Sequence, residues 1–333
     1  MAHDTRTSDV LGQGRWRYRP VLDWPQIPTE IDFFEAIGVA VSRDDRVFVF
    51  NRGNPAVLIF QPDGRFINAW GKDMFVRPHG ITAAPDETLY LTDDLGHRVG
   101  QFTLEGQLLR DIGPAGAPSQ TGVSGFDYRS ITSAGPYNLP TNVAVADDDH
   151  LFIADGYGNA SIHHFDAGGS LVQTWGVPGD AAGQFNVPHG ICVDAQGRVL
   201  VADRENSRIQ VFDRDGTLLQ TWTDVIRPCQ VFVGEDDVFF VAELGNQNGR
   251  FPWQHRPTQP TGGRVSIFDF DGTLLSRWGG GLDARQPDGF YACHDISVDS
   301  QGSIYVGEVA ATAAAAAGED ATGLPTLRKF VRA

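Results

Sequence analysis

VPHGICVDAQGRVLVADRENSRIQVFDRDGTLLQTW, residues 187–222, contains in one pass what the rest of the chain repeats. A short apolar strand carries His189, and a turn follows at Gln196-Gly197. A second strand ends in Asp203, and a third leads to the turn at Asp215-Gly216. Apolar residues alternate with a period of two between these turns, the pattern of half-buried β-strands joined by tight hairpins. The same template recovers six copies along the chain. The position of His189 is filled in order by Ile37, His79, Thr141, His189, Cys229 and His294.

Six all-β repeats of roughly 40 residues predict a six-bladed β-propeller, because each four-stranded sheet buries its faces against its neighbours. The blades read approximately 31–71, 72–113, 134–176, 180–224, 225–280 and 288–332. Residues 1–30 form an N-terminal segment in which Trp16 to Leu22 can add a strand to the last blade and close the ring, leaving 31–333 as a single catalytic domain. Two loops rich in Gly, Pro, Ser, Thr and Gln, 114–137 and 246–263, interrupt or join blades. The alanine- and glycine-rich stretch 310–324 reads as a mobile loop inside the last blade, and no segment shows a helical period.

Alternate copies in a closed ring of six lie about 120° apart, so His79, His189 and His294 converge on the central axis. Three convergent imidazoles suit zinc, and manganese or iron would also accept them. The other six histidines share no repeat position, and His163-His164 falls on an outer strand of blade 3. Arg52 and Arg204 occupy one repeat position in blades 1 and 4, across the axis from each other. Tyr157 lies one residue further on in blade 3. Two guanidiniums beside a metal suit a small carboxylate-bearing substrate. The acidic position shared by Asp93, Asp155, Asp203, Glu243 and Glu308 reads as structural, capping nearby backbone groups. Cys229 reads as a buried, inert thiol.

Composition narrows the class further. With 41% apolar and 20% charged residues the chain is globular, and a net charge of −16 argues against nucleic acid or an anionic membrane as partner. MAHDTRTSDVLGQGRW contains no apolar core of signal-peptide length, and three cysteines make no disulfide framework. A cytoplasmic location is the expectation; oligomeric state is not encoded legibly.

Copies of the form P-x-G-I-x-V-D…G-x-L-x-V-A-D-x-x-N-x-R-I-Q-V-F resemble the NHL repeat from about residue 31 onward. FNVPHGI (185–191), VADRENSRIQVF (201–212), ADGYGNASI (154–162), NRG (51–53) and CHDISVDSQGSIYVGE (293–308) are more specific. They resemble the peptidyl-α-hydroxyglycine α-amidating lyases. The resemblance implies cleavage of a carbinolamide, such as an α-hydroxyglycine derivative, at zinc (Zn2+), with release of glyoxylate and an amide. It implies zinc ligands at His79, His189 and His294, a catalytic tyrosine at Tyr157, and arginines at Arg52 and Arg204. It further implies a structural calcium (Ca2+) bound by Asp295 and the backbone carbonyls of Val39 and Ile81. Asp295 replaces the glycine found at Gly38, Gly80 and Gly190. Val39, Ile81 and Asp295 come from neighbouring blades, so one hard cation could reach all three.

The chain departs from that family at Cys293, where proline is usual, and at Ala292, where methionine is usual. The cysteines that pair in secreted animal members are absent, with Gly158, Leu200 and Val211 in those regions. Two other readings stand beside the lyase: a metal-dependent propeller hydrolase or lactonase, and a non-enzymatic NHL scaffold that binds protein.

Overall fold

Each copy of the repeat forms a four-stranded antiparallel sheet whose first strand lines the axis, in a computed structural model that describes residues 10–125, 127–234, 238–246 and 259–333. Five sheets are continuous in sequence, over 36–70, 78–111, 140–175, 188–222 and 228–279. The inner strands of neighbouring blades pack side by side around the ring, the sixth against the first. Val, Ile, Leu and Phe of the middle strands fill the space between blades; Phe48, Phe152, Phe212 and Phe239 are fully buried there. Burying each such side chain contributes about 1.5–3 kcal/mol, and the second strands, buried along their whole length, are near-continuous apolar runs where period-two alternation was expected.

The sixth blade is built from both ends of the described chain. Cys293–Val298, Ile304–Glu308 and Leu327–Arg332 supply three strands, and Trp16–Val21 supplies the fourth. Tyr18 lies opposite Arg332 and Val21 opposite Lys329. Leu11–Gln13 adds a fifth, short strand outside it. Stitching first to last in this way leaves no open edge between blades 6 and 1.

The structure corrects the reading of 310–324 as a mobile loop. Ala310–Ala317 is an α-helix, α1, with Ala310, Ala313 and Ala314 buried. Alanine has the highest helix propensity, and its small side chain lets a helix backbone lie close against a blade end. Of the loop 246–263, residues 247–258 lie outside the described residues, and a bridge between Asn246 and Thr261 closes its base. The loop 114–137 is pinned by Tyr137, whose buried hydroxyl donates to the Ile112 carbonyl at 2.8 Å.

The repeated acidic residues behave as the sequence suggested. Asp93, Asp155, Asp203, Glu243 and Glu308 are buried, and each accepts the backbone N–H of a residue 17 positions earlier. Each bond ties the loop entering an inner strand to the end of the second strand. The axial ends of both strands are thereby held in one place, and the candidate site lies there.

Candidate metal centre

All six inner strands carry a break in register at the repeat position of the histidines. An extra residue in one strand bends it and re-aims the side chain, here toward the axis. His79, His189 and His294 meet as a result: their ring centroids lie 4.9, 4.9 and 4.6 Å apart. One nitrogen from each ring falls within 4.8 Å of the others.

The intervening blades decide which nitrogen faces inward. His79 Nδ1 bonds the Thr141 carbonyl at 2.7 Å, His189 Nδ1 the Cys229 carbonyl at 2.8 Å, and His294 Nδ1 the Ile37 carbonyl at 2.7 Å. A carbonyl only accepts, so each Nδ1 carries the proton and each Nε2 presents a lone pair. The Pro-His-Gly sequence has its explanation in this contact. A Cβ at Gly80 would lie 2.4 Å from the Thr141 oxygen, and one at Gly190 would lie 2.4 Å from the Cys229 oxygen. At these two positions glycine leaves room for the next blade's carbonyl, whereas His294, followed by Asp295, meets the Ile37 carbonyl without it.

The three rings are at most 5% exposed. Burial first, then the neighbouring His294 and Arg52, hold the His79 pKa well below its ordinary value. Burial and Arg204 do the same for His189. Neutral imidazoles with inward lone pairs are the form that binds a divalent metal, and the donor set fits zinc.

The hydroxyl of Tyr157 stands 3.2 Å from His79 Nε2, 3.1 Å from His189 Nε2 and 3.0 Å from Arg204 Nη1. Gly156 sets this position, because its missing Cβ would meet the Pro188 carbonyl at 2.0 Å. Arg204 is 4% exposed and pairs through Nε with Glu205 at 2.8 Å. Glu205 also takes Arg227 Nη2 at 2.7 Å, so one buried carboxylate spans two guanidiniums. Removing it would leave two buried cations uncompensated, at about 3–5 kcal/mol. Burial acts against the Arg204 charge, but Tyr157, Glu205 and Cys229 outweigh it and raise its pKa. Burial pushes the Cys229 thiol up to about 11, the behaviour of an inert thiol.

Arg52 lies on the opposite side of the axis. Its Nη1 donates to Glu35 at 3.1 Å and its Nε to the Pro78 carbonyl at 3.2 Å. Arg77, unremarked in the sequence, pairs with buried Asp94 through two bonds of 2.7 and 2.6 Å.

Below the histidines the axis opens into a cavity of about 320 Å³ lined by Val39, Ile81, Gln230 and Asp295, among others. Asp295 Oδ2 accepts the Val39 N–H at 3.0 Å and Oδ1 the Ile296 N–H at 2.8 Å. Burial drives its pKa up to about 7, although Val39, Ile296 and Gln230 donate to it. Among the described residues no guanidinium or ammonium shares in that balance. A buried carboxylate beside inner-strand backbone fits a hard cation.

A family model described as the NHL repeat matches residues 185–212, the stretch bearing His189 and Arg204. The human protein NHL repeat-containing protein 3 is 32% identical over 260 residues, which cover 72% of this chain and 69% of that one. The chain belongs to the NHL-repeat proteins. This NHL propeller is also 29% identical over 269 residues to the Drosophila melanogaster protein named peptidyl-alpha-hydroxyglycine alpha-amidating lyase 1. That match covers 76% of the chain but only 47% of the fly protein. A solved structure of a catalytically inactive virginiamycin B lyase from Staphylococcus aureus with quinupristin shares the fold. Its TM-score is 0.58 at 12% identity, with 94% of this chain and 98% of that one covered.

In this NHL propeller the residues singled out from sequence fall into three groups. The three histidines, Tyr157 and Arg204 form one cluster; Arg52 borders it but is engaged by Glu35; Asp295, Val39 and Ile81 form a separate lower group around the cavity. Sequence reasoning missed Arg227 and Glu35, and it missed the carbonyls of Ile37, Thr141 and Cys229. The Glu205–Arg204 pairing was recognisable from their adjacency. Nothing in the sequence marks the rest: Arg227 and the carbonyls reach the site from a neighbouring blade, and Glu35 carries no repeated signal. The His163-His164 pair is structural: His163 bonds Asp155 and Thr174 within its own sheet.

Proposed function

We propose that the protein is a metal-dependent lyase that cleaves the C–N bond of an α-hydroxy amide, releasing glyoxylate or a related aldehyde and an amide. One observation carries this reading: the Tyr157 hydroxyl lies between two histidine Nε2 atoms and the Arg204 guanidinium, 3.0–3.2 Å from each. The similarity to the fly lyase supports the reaction class. His79, His189 and His294 would hold zinc through Nε2, and Asp295, with the Val39 and Ile81 carbonyls, would hold calcium. A zinc ion in the upper site supplies Lewis-acid stabilisation of charge developing on a substrate oxygen.

Arg204, itself held by Glu205, donates to the Tyr157 hydroxyl oxygen at 3.0 Å and fixes its direction. Tyr157 takes the hydroxyl proton of the N–CH(OH)–COO⁻ unit. The C–O bond becomes C=O as the C–N bond breaks, and the same proton passes to the departing nitrogen. The products are then a neutral amide and glyoxylate, with atoms and charge conserved. Arg52 and Arg204 give the substrate carboxylate cationic partners on either side of the axis.

The test is elemental analysis of the purified protein and its His189→Ala variant, with glyoxylate measured from N-benzoyl-α-hydroxyglycine. One zinc per chain, lost in the variant together with glyoxylate release, is the expected result. Failure to bind zinc even when it is added would overturn the reading and leave an NHL scaffold. Zinc binding without glyoxylate release would keep the centre and discard the reaction.

A further inference from the structure

The helix α1 reaches the edge of the site, and its first turn is held from another blade. Val309 at its N-cap makes no side-chain capping bond. The carboxylate of Glu35, in the strand entry of blade 1, does that work instead. Glu35 Oε2 accepts the Thr312 N–H at 2.9 Å, and Oε1 accepts the Thr312 hydroxyl. The same Oε1 accepts Arg52 Nη1 at 3.1 Å, and the Glu35 backbone carbonyl accepts the Arg52 N–H at 3.1 Å. Arg52 then reaches on through Nε to the carbonyl of Pro78, the residue before His79. A continuous line of bonds thus joins α1 to the histidine cluster.

Glu35 is fully buried, so it has no water to compensate for a lost partner. Alanine side chains seat the rest of α1 in the same apolar cluster as Ile37, Phe50, Tyr291 and Ala292. Past the helix, Glu319 accepts the Tyr291 hydroxyl at 2.8 Å and the Thr322 carbonyl accepts Arg285 Nη2 at 2.9 Å. These bonds hold the far end of the insertion, and those of Glu35 hold its start. Arg52 uses Nε and Nη1 in the bonds above, and its side chain is 13% exposed. The guanidinium is therefore fixed in direction while keeping an edge for a ligand.

We infer that Glu35 is a positioning residue: it couples the seating of α1 to the orientation of Arg52, so recognition of a substrate carboxylate depends on the alanine-rich helix. The inference rests on the lyase reading above and goes further, since it assigns specificity to a segment that supplies no metal ligand. The Thr312 hydroxyl shares Oε1 with Arg52. Losing that hydroxyl loosens the helix turn and shifts the shared carboxylate, and the guanidinium turns with it.

The test compares Thr312→Val, Thr312→Ser and Glu35→Gln in the zinc-loaded protein. Substrates are N-benzoyl-α-hydroxyglycine and the same compound with its carboxylate replaced by a carboxamide. Thr312→Val and Glu35→Gln should raise KM for the carboxylate about tenfold, with kcat within about twofold. KM for the carboxamide should hardly move, Thr312→Ser should restore the wild-type value, and zinc content should stay at one per chain. Calorimetric binding of glyoxylate gives a readout independent of turnover, with the same tenfold loss expected in Thr312→Val and not in Thr312→Ser. Equal KM changes for both substrates, loss of zinc, or a serine variant as impaired as the valine one would overturn the inference. So would unchanged glyoxylate binding in Thr312→Val, or none in the wild type. Absence of glyoxylate release by the wild type, with glyoxylate binding still sensitive to Thr312→Val, would discard only the reaction.

Discussion

Blades 2, 4 and 6 present an imidazole to the axis, whereas blades 1, 3 and 5 present Ile37, Thr141 and Cys229 at the same register position. The first set contributes side chains and the second contributes backbone carbonyls that fix the imidazole tautomers. The two sets share strand geometry and register break, so the division of labour lies in chemistry alone. One lesson is that at this register position side-chain identity should matter in alternate blades only.

The sharpest way to break that comparison is to remove one residue from each set. His79→Ala should weaken zinc binding by more than about 100-fold, beyond what loss of an outer partner costs, as read by competition with a chelating dye. Cys229→Ala keeps its carbonyl and should retain zinc; loss of zinc there would show that the odd blades act through side chains after all. Tyr157→Phe separates binding from chemistry. Zinc should remain at one per chain while kcat for glyoxylate release falls about 10²- to 10⁴-fold, the range for a lost general base.

A subtler change tests the backbone half. Gly190→Ala places a Cβ where the Cys229 carbonyl sits, 2.4 Å away, and must push blade 5 from His189. Zinc affinity should drop about 10- to 100-fold with all three ligands intact. The smallest expected effect is with pH. His79 and His189 have pKa values held well below the ordinary imidazole value, so protons compete with metal at these two rings only below about pH 6.5. Zinc affinity should stay nearly flat from pH 8 to 6.5 and fall as pH drops further. A steep loss beginning above pH 7 in a pH series of dye competition would contradict the neutral, inward-facing assignment.

The ring and the histidine cluster were legible because a repeat converts sequence position into angle around an axis. His79, His189 and His294 could be placed together without knowing a single contact. Tyr157 and Arg204 followed from the same register. Glu35 and Thr312 were not legible, since they are 277 residues apart and belong to no shared repeat position. The carbonyls of Ile37, Thr141 and Cys229 were hidden for another reason: every residue has a carbonyl, so none leaves a mark in the sequence. α1 was misread because an alanine run carries no amphipathic period, although its intrinsic preference is helical.

The pairing of Trp16–Val21 with Leu327–Arg332 has a consequence for how the molecule comes into being. Synthesis delivers the first of these strands long before its partner, so the sixth blade stays incomplete until the five blades between them have been made. His294 and its Ile37 acceptor, separated by 257 positions, meet only when that ring shuts. A fragment that stops short of His294 therefore lacks the trio, and capture of metal reports that the sixth blade has met the first.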